Sequence, residues 1–411
     1  MNGTKFLLSI NEAKIKHGLE RTRALLEACS NPQNKLYSIQ VVGTNGKGTT
    51  SAMIAQTLSC NKLKVGHFTS PHLVNLKERI KINNKCISEK YINSFINKYK
   101  NEIKNIGASF FEIMSVMAVK YFNDKNVDVA ILETGLGGRL DSITAMNGSG
   151  LIYTSISMDH MHILGNTLDL ISKEKAGAIT RHTEWIVSTT QNAIVAKILN
   201  NYAQKKNHRV HYIGHYEFFS KTDICTYLPG KHQIYNANLA LAAIKIIWKK
   251  LLGRKRLLAN PEIILETNWP GRIQKIQLSP DIFFDVAHNI SGINAFIAYF
   301  KSIKSQYNNK YLVIGFESQK SIFTILNQLT SHFDYITVTE TKVKSSMPAN
   351  KLYNQIKNKS NIYVNTDSYN ALNHACNQLS KKDVLVVLGS HYFGNMINKI
   401  FKNCFDNQIK A

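Results

Sequence analysis

Residues 38–53 read SIQVVGTNGKGTTSAM. The apolar run Ile39, Val41, Val42 predicts a short strand that stops at Gly43. A glycine-rich turn follows, and then residues at helical spacing. Strand, glycine turn and helix aim several backbone N–H groups and a helix N-terminus at one anion. Gly43, Gly46 and Gly48 let the backbone approach a phosphate that a β-carbon would hold off. Lys47 brings a mobile positive charge to the outer phosphates, and Thr49 or Thr50 offers a hydroxyl to a bound magnesium ion. The spacing differs from the general P-loop. Two residues separate Gly43 from Gly46, and Gly48 follows the lysine where Ser or Thr is usual. A lysine between glycines serves little purpose in an ordinary strand-to-helix turn, so the stretch reads as a nucleotide site.

The flanking sequence repeats the strand–helix alternation. Residues 7–30 predict a helix with Leu19, Ala24, Leu25 and Ala28 on one face, stopped by Pro32. VGHFTSPHL (65–73) predicts a second strand ending at Ser70-Pro71, and residues 74–87 a mobile loop with a short strand. Residues 109–123 predict a helix. DVAILETG (128–135) predicts a buried strand with Glu133 at its carboxyl end, and LIYTSISMDH (151–160) another, ending in Asp159 and His160. Residues 168–179 predict a helix and WIVSTT (185–190) a strand. Such alternation argues for a mostly parallel sheet covered on both faces, with ligands at the carboxyl ends of its strands. Gly43–Lys47, Ser70, Glu133 and His160 all fall at such ends, so the topology gathers them at one edge.

Asn236 opens a long apolar helix that runs to about Leu251. NWPGR (268–272) then breaks the pattern at Pro270-Gly271, and a fresh alternation begins with IQKIQL, DIFFDVAH, YLVIGF, DYITVT, NIYVN and DVLVVLGS. The chain therefore divides into a P-loop-type, mostly parallel α/β domain over 1–267, a hinge at 268–272, and a smaller Rossmann-like α/β domain over 273–411.

Several side chains at these ends can carry chemistry. Glu133, followed by Gly135, Gly137 and Gly138, suits magnesium, or is a helix cap or a surface acid. His160 is a metal ligand or a structural histidine. Lys175, within SKEKAGAI, reads from composition as a solvated lysine. Asp285 and His288 place two polar groups at one crevice. Arg272 follows a phosphate, or is only solvated.

At 411 residues the chain exceeds the size at which a single core stops growing, and 44% hydrophobic residues are ordinary for a globular protein. No apolar run approaches a membrane span. The N-terminus MNGTKFLLSINEAK lacks a basic n-region and a small-residue cleavage site, so it does not read as a signal peptide. Six scattered cysteines show no metal or redox spacing and fit a reducing cytoplasm. The formal net charge is +24. Lys, Asn and Ile are heavily used everywhere, as in KINNKCISEKYINSFINKYKNEIKNI, and no basic block is interleaved with aromatics. Compositional drift explains this better than nucleic-acid binding does, and anionic substrates benefit from the positive field. A cytoplasmic monomer with no nucleic-acid or membrane partner is expected.

Taken together, HGLERTRALLEACSNPQ, VVGTNGKGTT, FTSPHL, ERI, ILETGLGGRLD, DH, EKAGAI, GKHQIYNAN, WPGR, FDVAHN and LGS resemble, in order, the folylpolyglutamate synthase and dihydrofolate synthase family of Mur-type ATP-dependent amide ligases. GLGGRLD with SPHL and EKAG marks the folate branch. The resemblance implies that Thr44, Asn45, Gly46, Lys47, Gly48 and Thr49 hold ATP phosphates. It implies that Ser70, Glu133 and His160 bind Mg2+, and that Lys175 is carbamylated and helps to place a second magnesium. Asn236, Arg272 and Asp285 match nucleotide contacts, and His288 lies where glutamate enters. Arg79, Phe111 and Asp141 match contacts to the pterin-bearing substrate. Lys47, Lys175, His160 and His288 form the implied catalytic set.

The implied reaction begins with attack of a folate or dihydropteroate carboxylate on the γ-phosphate of ATP. The resulting acyl phosphate is taken by the α-amine of L-glutamate, giving amide, ADP and phosphate. Closure about the 268–272 hinge would exclude water from the acyl phosphate. Two other readings share parts of this pattern: a Mur-type ligase acting on a cell-wall precursor, and a nucleic-acid-dependent P-loop ATPase.

Overall fold

The computed structural model describes residues 3–10, 18–253, 258–320, 322–406 and 409. They form two compact units. The first comprises Met1–Ser157, Leu164–Ser220 and Tyr235–Ile264, and the second Met158–Ile163, Lys221–Ile234 and Leu265–Ala411.

The first unit holds eight strands: β1 (Ser38–Val42), β2 (Val65–Phe68), β3 (Ile80–Ile82), β4 (Lys85–Cys86), β5 (Val129–Glu133), β6 (Gly150–Tyr153), β7 (Trp185–Thr189) and β8 (Val210–Ile213). Their spatial order is β4-β3-β2-β5-β1-β6-β7-β8. β2, β5, β1, β6, β7 and β8 pair in parallel in that order, while β3 and β4 add an antiparallel hairpin at one edge. Every residue of β1 is buried, as a central strand covered on both faces requires. Gln40, buried in its middle, is satisfied by donating to Thr134 Oγ1 at 3.1 Å and Thr144 Oγ1 at 2.8 Å. Val41 lies opposite Glu133 on β5 and Val42 opposite Tyr153 on β6. This register levels the carboxyl ends of the three central strands, and the loops that leave them start side by side.

Five helices matter below: α1 (Glu20–Ala28), α2 (Lys47–Cys60), α3 (Phe110–Asp124) and α4 (Leu168–Ala176), all in this unit, and α5 (Lys231–Leu252), whose residues from Tyr235 on belong to it. α3 begins with a reciprocal cap in which Ser109 and Glu112 exchange side-chain and backbone hydrogen bonds, at 3.4 and 2.7 Å. Arg21 of α1 reaches Glu112 at 3.1 Å and ties the two helices together.

The second unit holds β9 (Gln274–Gln277), β10 (Asp281–Asp285), β11 (Lys310–Ile314), β12 (Tyr335–Val338), β13 (Ile362–Val364) and β14 (Val384–Leu388), in the order β13-β12-β11-β14-β10-β9. All pairs are parallel except β10 with β9. β14 is buried at all five positions, and Phe283, Phe296, Phe300 and Phe316 fill the core around it. The α/β fold class expected from the sequence is therefore present in both units.

Several local expectations are corrected. The expected helix over 7–30 covers the end of a helix at Gly3–Ser9 and a helix at Glu20–Ala28, and its residues 11–17 lie outside the described residues. The buried face of α1 is Thr22, Leu25 and Leu26, while Ala24 and Ala28 are exposed. Larger side chains take the inward positions because they remove more apolar area from water. The strand expected over 151–160 ends at Tyr153, so Asp159 and His160 lie in a loop segment of the second unit. Residues 74–87 form a capped 3-10 turn at Leu76–Arg79 and the β3–β4 hairpin. The helix expected to open at Asn236 opens at Lys231. Among the described residues no helix is long and apolar enough to cross a membrane.

Candidate active site

In the first unit the site is built on the glycine turn after β1. Gly46 has φ of 88°, in the left-handed region that a β-carbon disfavours. A Cβ there would also stand 2.6 Å from Asn236 Oδ1 on α5, so turn and helix meet closely. Gly43 is needed for a different reason from the one expected. A Cβ on it would lie 1.9 Å from Thr154 Oγ1, just past β6, so neighbour packing demands the glycine. The turn is tethered beyond β6 as well. Thr44 and Asn45 N–H groups donate to the Ser155 carbonyl at 2.8 and 3.2 Å, and the Thr44 hydroxyl donates to the Ser157 carbonyl at 3.0 Å. Lys47, at the first turn of α2, folds back so that Nζ donates to the carbonyls of Gly43 and Thr44 at 3.1 and 3.2 Å. Gly48 and Thr49 follow it, buried in the same turn of helix. Thr50 Oγ1 is buried and has no hydrogen-bond partner among the described residues.

Lys175 is the largest revision of the reading from composition. It is 4% exposed, and its Nζ donates to the Gly43 carbonyl at 2.7 Å. The Tyr153 hydroxyl donates to the Lys175 carbonyl at 3.1 Å and fixes the last turn of α4 against β6. A buried amine on the glycine turn is far from a solvated lysine.

Glu133 is also buried, and its Oε2 accepts from the Ser70 N–H at 3.0 Å. The structure thus brings together two of the expected magnesium ligands. His160 belongs to the second unit. Among the described residues no group of three or more His, Cys, Asp or Glu is placed to hold a metal.

Arg79, Phe111 and Asp141 surround the ends of β2 and β5. The Arg79 carbonyl accepts from Thr69 N–H at 2.9 Å, its Nε donates to His72 Nδ1 at 2.9 Å, and its guanidinium lies 5.0 Å from the Phe110 ring centroid. Burial, and then the Arg79 charge, push His72 down to about 3. The Phe111 ring lies against Gly135, where a Cβ would come within 2.6 Å of it. Asp141 accepts from the Leu136 and Ile143 N–H groups at 2.8 and 2.9 Å, which clamps the glycine loop. Burial pushes its carboxyl up to about 6, against the opposing pull of these hydrogen bonds and of Lys47.

The second unit contributes a separate cluster. Asp285 ends β10, where Oδ2 accepts from Ile273 N–H at 2.7 Å and Oδ1 from Ala287 N–H at 2.6 Å. Burial raises its pKa, and the Arg272 charge opposes this. Arg272 also acts on His232, which burial first and then this charge bring down to about 4. His288 Nδ1 lies 2.8 Å from the Val286 carbonyl. A carbonyl only accepts, so Nδ1 donates to it and the ring orientation is fixed.

Sequence reasoning missed the centre of this cluster. Lys320, 7% exposed, donates to Asp159 Oδ1 at 2.7 Å. Asn289 Nδ2 donates to Asp159 Oδ2 at 2.9 Å, and His288 Nε2 is 3.6 Å from the same oxygen. Lys320 Nζ also lies 3.4 Å from His160 Nε2. Burial alone would raise the Asp159 pKa. The His288 contact and the charges of Lys320 and His160 outweigh it and hold the carboxyl well below the usual range. His160 itself has φ of 49°, uncommon for a residue with a β-carbon. The sole sequence signal for Lys320 was a lysine in ESQKS, one among many in this chain.

Comparison with known proteins defines the class. The family model "Mur ligase, glutamate ligase domain" matches residues 271–391. The chain is 29% identical to the dihydrofolate synthase/folylpolyglutamate synthase of Bacillus subtilis, over 94% of this chain and 96% of that one. It is 30% identical to the protein of the same description from Buchnera aphidicola, over 87% and 86%. Among solved structures it is similar to Mycobacterium tuberculosis folylpolyglutamate synthase complexed with ADP (TM-score 0.86, 25% identity, 97% of each chain). It is also similar to Escherichia coli FolC in complex with DHPP and ADP (TM-score 0.83, 25% identity, 97% and 96%). The two sheets correspond to the central and C-terminal domains of a Mur ligase. The chain belongs to the dihydrofolate synthase/folylpolyglutamate synthase family.

Proposed function

We propose that this ATP-dependent ligase adds L-glutamate to folate, as a folylpolyglutamate synthase, and to dihydropteroate, as a dihydrofolate synthase. The observation that carries the reading is the glycine turn after β1, with Lys47 folded over it and the buried Lys175 amine on its Gly43 carbonyl. Relatives of both descriptions over most of the chain support the two activities.

In this reading the turn from Thr44 to Thr49 holds the ATP phosphates, and Asn236, Arg272 and Asp285 contact the nucleotide. Lys47 leaves the two carbonyls it now contacts and meets the charge that develops on the γ-phosphoryl group. A substrate carboxylate oxygen bonds to the γ-phosphorus as the bond to ADP breaks, giving an acyl phosphate. The α-amine of glutamate then bonds to the acyl carbon, phosphate departs, and the amine loses a proton. His288, held by Val286 at Nδ1, offers Nε2 on the glutamate side. Arg79, Phe111 and Asp141 orient the pterin-bearing substrate.

The residues fit a magnesium ion. Ser70 and Glu133 are oxygen donors at adjacent strand ends. Magnesium takes one or two protein carboxylates and completes its shell with phosphates and water, so a dense ligand cluster is not required. Glu133 and Ser70 would hold it, with His160 and carbamylated Lys175 as further ligands. When bound, the ion neutralises phosphate charge. We also assign 268–272 as the joint between the functional domains and a monomer as the working state.

The test is ATP turnover with L-glutamate plus either dihydropteroate or tetrahydrofolate, with products identified by mass. Glutamate-dependent turnover with each acceptor is expected. Turnover that ignores glutamate, or that requires a cell-wall precursor, would overturn the assignment.

A further inference from the structure

The first unit carries a second basic feature that the ligase reading does not use. A cleft of ≈ 480 Å³ opens between α1, the loop after Gly138 and the turn that follows α4. Its volume is that of a small-molecule site. Arg23, Arg139 and Arg181 line it with His182, Thr180 and Asn147, and among the described residues no Asp or Glu lines it. Arg139 is paired with Glu174 through Nη2 at 2.5 Å. Arg23 and Arg181 have no acidic partner among the described residues. The Arg181 Nε donates to His182 Nε2 at 3.3 Å, which orients one guanidinium. The Arg139 stem lies flat on Gly177, where a Cβ would come within 2.5 Å of the arginine Cβ, so glycine lets that side chain lie along the wall.

We propose that this cleft binds a small organic polyanion, one carrying two or more phosphate or carboxylate groups. Guanidinium groups match both anions through paired, parallel N–H donors. Arg23 and Arg181, beside an Arg139 already paired with Glu174, carry the uncompensated positive charge of this concavity and raise the local concentration of anions. Thr180 and Asn147 supply neutral polar groups that fix orientation. A cleft of this volume is too small for a nucleic-acid duplex, which sets it apart from the diffuse charge of the surface. The inference stands apart from the ligase reading.

Calorimetric titration of the full chain with pyrophosphate, and separately with γ-linked triglutamate, tests the proposal. The comparison uses wild type, Lys47→Ala, Arg23→Gln/Arg181→Gln and Arg23→Lys/Arg181→Lys. At least one probe is expected to bind a site that persists in Lys47→Ala, and to bind that site in the Gln pair roughly tenfold or more weakly. The Lys pair should lie between them. Binding of pyrophosphate alone identifies a phosphate ligand, and of triglutamate alone a carboxylate ligand. Absence of binding, equal binding by the Gln pair, or loss of binding in Lys47→Ala would overturn the proposal. Glutamate-dependent ATP turnover by the Gln pair should match wild type, so failure of the cleft and failure of the ligase reading are read separately.

Discussion

Removing the Asp159 carboxylate should destabilise the second unit more than any surface charge change. Asp159 and Lys320 face each other at 2.7 Å with side chains 8% and 7% exposed. At that separation the gross attraction is about 6 kcal/mol for an effective dielectric of about 20. Desolvation offsets much of it, so the intact pair contributes little net stability. Removing one partner is different, because the other charge stays buried. Asp159→Ala leaves Lys320 beside His160 and should cost about 3–5 kcal/mol. Lys320→Met leaves Asp159 with the Asn289 amide and His288, and should cost less. The double variant should cost less than the sum of the two, with a coupling of roughly 1–3 kcal/mol. Urea unfolding followed by tryptophan fluorescence and far-ultraviolet circular dichroism gives all three values. Strict additivity, or a loss under about 0.5 kcal/mol for Asp159→Ala, would refute the claim that this is a desolvated ion pair.

Lys175→Ala should be largely inactive and Lys175→Glu partly active. Removal of CO2 and bicarbonate should slow wild type and spare the Glu variant, and normal turnover by Lys175→Ala would reject a carbamate role. Glu133→Ala should shift the magnesium titration of ATP turnover to higher concentration, and an unchanged curve would remove Glu133 from the metal site. His67, buried and 3.0 Å from Ser51 Oγ, is pushed down to about 3 by burial and then by Lys81. The unfolded histidine binds its proton below about pH 6.5 and the folded one does not, so stability should fall as pH drops from about 6.5 toward 3. His67→Asn should flatten that slope in urea titrations at pH 7, 6 and 5.

The strand–turn–helix unit was legible because local rules dictate it. A buried apolar run, a left-handed glycine at 46 and a helix start at Lys47 are all set within a few residues. The parallel α/β class followed from alternation repeated along the chain, and with it the placing of Ser70 and Glu133 at neighbouring strand ends. Strand limits were less legible. The strand read over 151–160 stops at Tyr153, where Thr154 and Ser155 follow, because pairing partners rather than local composition end a strand.

Side-chain environments belonged to the tertiary structure. Lys175 looks solvated in a helix rich in charge, yet packing of α4 on β6 turns it onto the Gly43 carbonyl, 132 residues away in sequence. Asp159 and Lys320 are 161 residues apart, and nothing local in either segment marks them as a pair. The sequence by itself determined which residues could bear charge, turn or strand. Which charges would be buried, and against what, depended on long-range packing, because desolvation is a property of the assembled surroundings and not of the residue.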